Sequence, residues 1–209
     1  MARFKNGILG AFSGKIGDAV GYQLRGECFG RSKPRKKKGD PSDKEIANRA
    51  KFAYVQQWLQ PITPFLRVGF KNYNPRFEGF VAAKSYNSKN ALTGSYPDFH
   101  IDPALALVSY GSLDQSETAS VLSEEPTAIT IRWSGGDVGS LQKVMILLYD
   151  IEGHSAIMDT SATWRENKEF KWVLTPSCSG KTYHVYIAFV DSDMTHQSTS
   201  QYLGTVTVL

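Results

Sequence analysis

The chain has little cysteine: two residues, Cys28 and Cys178, in 209. That excludes a disulfide scaffold. The two also fall in segments argued below to be different domains, so free thiols in a reducing compartment are expected. Long apolar runs are absent too, and none approaches the roughly 18 residues that a membrane-spanning helix needs. Near the start, the apolar stretch 8–12 is interrupted by Gly10. It falls short of the roughly 7–15-residue core of an export signal. The expectation is a protein with no signal peptide or transmembrane segment, cytoplasmic or incorporated in a larger particle. What the chain does not lack is apolar and aromatic residues, 41% and 12%. These exclude a largely disordered polymer, and the length suffices for one large domain or two small ones, each with a core.

Acidic residues are scarce in the first 80 positions, 6 against 16 Lys and Arg, a net charge of +10. Positions 81–209 reverse this, with 14 acids against 8 bases, or −6. The densest basic block is 31–38, with Arg31, Lys33, Arg35, Lys36, Lys37 and Lys38 among eight residues. Such a block repels itself, stays extended and concentrates polyanions around it. Three readings stay open: a solvated linker, a polyanion contact, and docking onto an acidic neighbour such as the acidic half of another copy. Lys15 and Arg25, in the segment before the block, add to whichever holds.

Residues 7–30 carry seven glycines. Glycine at this density weakens ordinary helices and strands and points to tight turns or close backbone approach. Within the segment, 19–24 and 28–32 flank Arg25-Gly26-Glu27, a pattern that predicts a β-hairpin turning at Gly26. A helix is predicted over 42–60. Ser42 and Glu45 have capping-box spacing, and Ile46, Ala50, Phe52, Val55, Leu59 and Ile62 form an apolar stripe. Pro61 and Pro64 should end or kink that helix near Gln60. A weaker helix over 78–89 precedes a turn region at 91–97 and short candidate strands at 99–101 and 104–109. After about Ser112 the pattern changes to apolar alternation or buried-strand runs at 128–133, 144–150, 170–174, 183–190 and 202–209. Strands at such turn-separated intervals predict a β-sandwich. The expected division is a basic N-terminal module, 1–112, and a sandwich domain, 113–209.

Ile129-x-Ile131-x-Trp133 resembles the second strand of a fibronectin type III domain, where a Trp anchors the core. Leu174-x-Pro176 followed by Gly180-x-x-Tyr183-x-Val185-x-Ile187 is similar to that fold's entry to its sixth strand. The resemblance implies that Tyr183 bonds back to the backbone near Pro176. It departs from the pattern over 135–142. The expected fold class is thus α+β: a basic Gly-rich hairpin and a helical segment, followed by an immunoglobulin/fibronectin-III-like sandwich. Over its whole length the chain also resembles a family of Bacteroidota proteins with no established activity. That resemblance rests on Gly7-Ile-Leu-Gly-Ala-Phe-Ser-Gly-Lys-Ile-Gly17, Arg49-Ala-Lys-Phe52 and Gly94-Ser-Tyr-Pro97. The glycine-rich hairpin, basic Pro-containing stretch and Ala-Arg-rich helix are similar in arrangement to small structural proteins of phage gene clusters.

No motif carries catalysis. Gly10-Ala-Phe-Ser-Gly14-Lys15-Ile16 is one residue short of a phosphate loop and has Ile where a hydroxyl must meet Mg²⁺. Ser179-Gly180-Lys181-Thr182 has Thr175 in place of the first glycine and lies between strands, with no helix N-terminus behind it. Asp98-x-His100-x-Asp102 has no further His or Cys nearby and reads as surface polarity, so no metal is expected. No Gly-x-Ser-x-Gly occurs. Cys28 has Arg25 and Arg31 nearby but reads as an incidental hairpin thiol, and Glu124-Glu125 reads as an exposed strand end. Tyr22 and Phe29 lie among Arg25, Arg31 and Lys33, the composition of a nucleic-acid surface, or else pack the hairpin onto the helix.

These readings predict no enzyme and no cofactor. They predict a structural or assembly protein whose basic N-terminal half docks onto protein subunits, its own or others, or onto a polyanion. The residues expected to make that contact are Lys15, Arg25, Arg31, Lys33, Arg35, Lys36, Lys37 and Lys38. The sandwich would present an interaction surface, and homo-oligomers are one form such docking takes. The alternative is a nucleic-acid-binding protein using the 31–38 block.

Overall fold

A computed structural model of the chain describes residues 3–4, 10–24, 26–35, 39–74, 77, 79–136 and 141–209. The chain divides into two units, Met1–Ser42 and Asp43–Leu209. The division at 112/113 expected from sequence therefore falls inside the second unit.

The first unit is an antiparallel sheet in chain order: β1 (Arg3–Phe4), β2 (Phe12–Ile16), β3 (Ala19–Leu24) and β4 (Glu27–Ser32). Leu24 pairs with Glu27, leaving a two-residue connection that needs positive φ, which Gly26 supplies at +85°. Gly14, Gly21 and Gly30 stand opposite one another across β2, β3 and β4. A Cβ on Gly21 would lie 2.3 Å from the Phe12 carbonyl oxygen and 2.6 Å from its ring. Glycine is what lets that ring lie against the strand.

In the second unit, α1 (Asp43–Leu59) has Asp43 and Glu45 in its first turn, where acids suit the helix dipole. α1 ends at Leu59, beside the expected Gln60, and helical structure resumes past that point. A 3₁₀ turn, Gln60–Ile62, and a second helix α2 (Thr63–Gly69) follow, with Pro61 and Pro64 each in the opening positions of their segment. There the missing N–H has no helical partner to lose. Next come α3 (Gly79–Asn90) and a two-stranded ribbon, β5 (Leu92–Ser95) with β6 (Asp98–Ile101), so a strand occupies part of the expected turn region. Segment 104–109 is not a strand. Its backbone is held by side chains instead: Asn87 bonds both N–H and C=O of Leu107, and Ser200 Oγ accepts from Val108 N–H.

Seven strands complete the unit: β7 (Thr118–Glu125), β8 (Ala128–Ser134), β9 (Gln142–Asp150), β10 (Ser155–Trp164), β11 (Glu169–Val173), β12 (Thr182–Asp191) and β13 (Gln201–Thr207). They form two antiparallel sheets, β11-β8-β7 and β10-β9-β12-β13. One apolar cluster joins the sheets: Ile129, Ile131 and Trp133 from β8, Val144, Ile146 and Leu148 from β9, and Tyr183, Val185, Ile187 and Phe189 from β12. The alternate residues of the same two central strands, Met145, Leu147, Tyr149, Tyr186, Ala188 and Val190, belong to a second cluster with Val55, Trp58, Leu59, Phe65, Leu66, Ala82 and Ala83 of the helices. Strands buried on both faces read as unbroken apolar runs. This double burial ties the helical segment to the sheets in one unit. Tyr149 stacks edge-on against Trp58 at 5.0 Å and donates its hydroxyl to the Trp58 carbonyl at 2.6 Å. Burial, with the neighbouring Tyr54 and Asp150, raises its pKa well above the usual value.

Arg165 is buried beside Trp133. The Trp133 indole donates to its carbonyl at 2.8 Å, and its guanidinium lies 3.9 Å from the Phe189 ring centroid. That guanidinium donates to the Asp114, Gln115 and Gly135 carbonyls and to Gln142 Oε1, fastening the approach to β7 and the end of β8. Tyr183 is buried in the sixth of these strands, but its hydroxyl meets the thiol of Cys178, in the turn that Pro176 opens, rather than the backbone at Pro176. Burial pushes the Cys178 thiol up, while hydrogen bonds with Thr175, Tyr183 and Ser177 and the charge of Lys181 outweigh it and leave the pKa below the usual value. Both cysteines are free thiols. No described helix is long and apolar enough to cross a membrane.

Candidate functional site

The register of the first unit's sheet decides which of the expected contact residues share a face. Successive residues of a strand alternate between faces, and paired residues lie on the same one. Val20 stands opposite Lys15 on one side and Arg31 on the other, which sets a row Lys15–Val20–Arg31 across β2, β3 and β4. Two residues along, Tyr22 pairs with Phe29, and beyond them Leu24 pairs with Glu27. One face therefore carries Lys15 and Arg31, two aromatic rings, Val20, Leu24 and the acid Glu27. The other carries the glycine row.

The rings are stacked, 5.7 Å between centroids and 24° between planes. The Arg31 guanidinium lies 5.6 Å from the Tyr22 centroid, within cation–π range. Tyr22 and Phe29 are 39% and 40% exposed and Leu24 57%. Among the unit's described residues only Gly21 is buried. Among the described residues, this face thus carries an exposed ring pair beside cations.

Of the other expected contact residues, Lys33 follows β4 and donates its backbone N–H to the Asp18 carbonyl, which ties the start of the basic block to the β2–β3 turn. Lys33 and Arg35 are exposed. Arg25, Lys36, Lys37 and Lys38 lie outside the described residues. Cys28, on the opposite face from Phe29, is exposed.

The second unit holds two polar constellations that sequence reasoning missed. The Asp191 carboxylate accepts from the Thr195 N–H and hydroxyl, from the His196 N–H, and from His196 Nδ1 at 3.0 Å. Burial raises its pKa, but these bonds outweigh that and hold the carboxyl below its usual range. The loop after β12 is thereby clipped closed. His184 Nδ1 bonds the Tyr202 hydroxyl at 2.8 Å, and the two rings stack. Burial holds its pKa below the usual value, against the opposing charge of Glu152. Both sets come from residues close in the fold but separated by a loop or a strand pairing, a proximity no local pattern announces. Among the described residues, no group of three or more His, Cys, Asp or Glu is placed to hold a metal ion. His100, in β6, is exposed, and Asp102 accepts the Ala104 N–H.

Two apolar positions of the α1 stripe also leave the core: Ile46 is 37% and Phe52 56% exposed. A residue model of a family of unknown function, DUF6266, matches the chain over residues 11–204. No curated protein matches it. The match takes in all but the ends of the sequence, from the glycine-rich sheet to β13, and the chain belongs to this family.

Proposed function

We propose that this DUF6266 protein is a non-enzymatic assembly protein whose N-terminal sheet docks onto another protein subunit and whose C-terminal strands form a fibronectin-III-like scaffold. The observation that carries the docking role is the exposed Tyr22–Phe29 pair with Arg31 over Tyr22 and Lys15 in the adjoining row, on a sheet with almost nothing buried. A small sheet in water needs an apolar face packed against something. Aromatic and Arg side chains are also those enriched at the centres of protein interfaces. The scaffold reading is supported by the strand partition, with first, second and fifth strands in one sheet and fourth, third, sixth and seventh in the other. The buried Trp133 on the second strand and Tyr183 on the sixth support it further.

Light scattering across a concentration series, with chemical cross-linking, tests the docking role. Assembly or a cross-linked subunit should be lost in Tyr22→Ala/Phe29→Ala. A monodisperse monomer at high concentration, with no cross-linked partner, counts against it.

The same geometry favours a second reading, a single-stranded nucleic-acid surface, because stacked rings flanked by cations suit bases and phosphates. Fluorescence anisotropy with single-stranded RNA and duplex DNA at two salt concentrations separates the two. If about six cations of the 31–38 block meet duplex phosphates, log K falls with log salt at a slope of about −5. Lys36/Lys37/Lys38→Ala should then lose most of the binding. A flat salt response removes this reading.

A further inference from the structure

The second unit carries a groove between α1 and α3 that its core does not fill, with a volume of about 570 Å³. Phe52, Phe80 and Val81 form its apolar floor, and Lys51, Lys84 and Lys89 stand around it. Phe52 and Val81 are 56% and 58% exposed, although both sit on helices whose other faces are packed. Lys84 lies 5.2 Å from the Phe52 ring centroid and donates to Gln56 Oε1 at 2.9 Å. Ser88, 9% exposed, lines the same groove with a hydroxyl that has no hydrogen-bond partner. A second cavity, about 600 Å³, shares Gln56, Phe80 and Val81 with the first and adds Arg67 and Lys71. The shared residues make the two cavities adjoining parts of one channel.

The sequence around the channel is strongly one-sided in charge. From 46 to 97 there are seven Lys and Arg and a single acid, Glu78. No described lining residue of either cavity is acidic. A floor of Phe and Val argues against a nucleic-acid backbone, which cations alone would satisfy. The lining residues recur at one-turn spacing on both helices, 48, 51, 52 and 56 on α1 and 80, 81, 84, 85, 88 and 89 on α3. This is how a groove between helices receives the apolar side of a third helix.

We propose that this channel docks an acidic amphipathic helix of a partner protein. The apolar side chains of that helix seat on Phe52, Phe80 and Val81. Its flanking carboxylates meet Lys51, Lys84, Lys89 and Arg67, and a polar side chain reaches Ser88. This surface lies in a different unit from the N-terminal sheet and does not depend on that sheet's role.

The test uses the full-length protein and a fluorescein-labelled 18-residue peptide with Leu at helical i, i+3/i+4, i+7 spacing and Glu on both flanks. Two control peptides carry Gln for Glu, or the same composition scrambled. Anisotropy should show saturable binding of the acidic peptide at least tenfold tighter than either control. Lys51→Glu/Lys84→Glu, and separately Val81→Asp, should each weaken it at least tenfold, while Tyr22→Ala/Phe29→Ala leaves it unchanged. All the groove substitutions are at partly or largely exposed positions; should Val81→Asp nonetheless unfold, the lysine pair decides. Binding no tighter than that of the scrambled peptide overturns the proposal, as does binding indifferent to the groove variants. If phosphatidylserine vesicles bind and lose affinity in the groove variants while the peptide does not bind, the surface belongs to a membrane and the proposal fails. None of these failures bears on the N-terminal sheet, whose variants are read in a separate assay.

Discussion

The two units of this chain are both built from antiparallel strands, yet they hold themselves together differently. In Asp43–Leu209, two central strands are buried on both faces, one face against a second sheet and the other against helices. In Met1–Ser42, the described side chains nearly all meet solvent, and the cross-strand rows include a glycine row, an aromatic pair and a row with two cations. Burying apolar area is the main favourable term in folding, at roughly 25 cal/mol per Å². The second unit therefore carries its own stability. The first leaves most of its described side chains exposed.

The largest expected effect that sharpens this contrast is at Trp133. It is 3% exposed and bonded to the Arg165 carbonyl, so Trp133→Ala should lower unfolding free energy by about 3–5 kcal/mol in urea titrations. A near-neutral result would break the two-sheet core. Arg165→Met comes next. It strips donors from several carbonyls, and a buried acceptor left unmet costs about 1–3 kcal/mol, so a loss of about 3 kcal/mol is expected by the same titration. Tyr22→Ala/Phe29→Ala, in contrast, should leave that main unfolding transition in place; a loss matching that of Trp133→Ala would show that the sheet is part of the same cooperative core.

A smaller effect is set by pH. Burial keeps the His184 ring neutral below its usual value of 6.5. As pH falls through 6.5 the unfolded chain takes up a proton that the folded chain resists, so stability present above 6.5 is lost below it. His184→Gln should flatten the melting temperature between pH 7 and 5. An unchanged slope would remove His184 as its source. Asp191 acts lower on the scale: its carboxyl is held below the usual 3.8, and its contribution is lost only as pH drops under that value. The smallest effect is expected from Lys36/Lys37/Lys38→Ala. Solvated cations contribute about 0–1 kcal/mol each, so calorimetry should find the melting temperature nearly unmoved. A large drop would mean that the block is packed.

The sequence by itself determined the strands with strict alternation or continuous apolar runs. Ile129, Ile131 and Trp133 of β8 alternate along their strand, and the run in β9 is of buried-strand type. It also determined α1, through its spacing and end signals, and indicated α3 more weakly. It did not announce β7 or β10. β7 is an edge strand of half-exposed Ser, Glu and Ala, and β10 has a register break between Asp159 and Thr163 that interrupts its alternation. Nor did it announce α2, because prolines that end one helix also suit the first turn of the next. At the candidate site, the basic and aromatic residues were legible as composition. Only pairing register put Lys15, Arg31, Tyr22 and Phe29 on one face. The apolar stripe of α1 likewise named Phe52 as core, but the tertiary structure left it on the surface. Which face of a helix finds a covering layer depends on where distant segments pack, and local spacing holds no record of that.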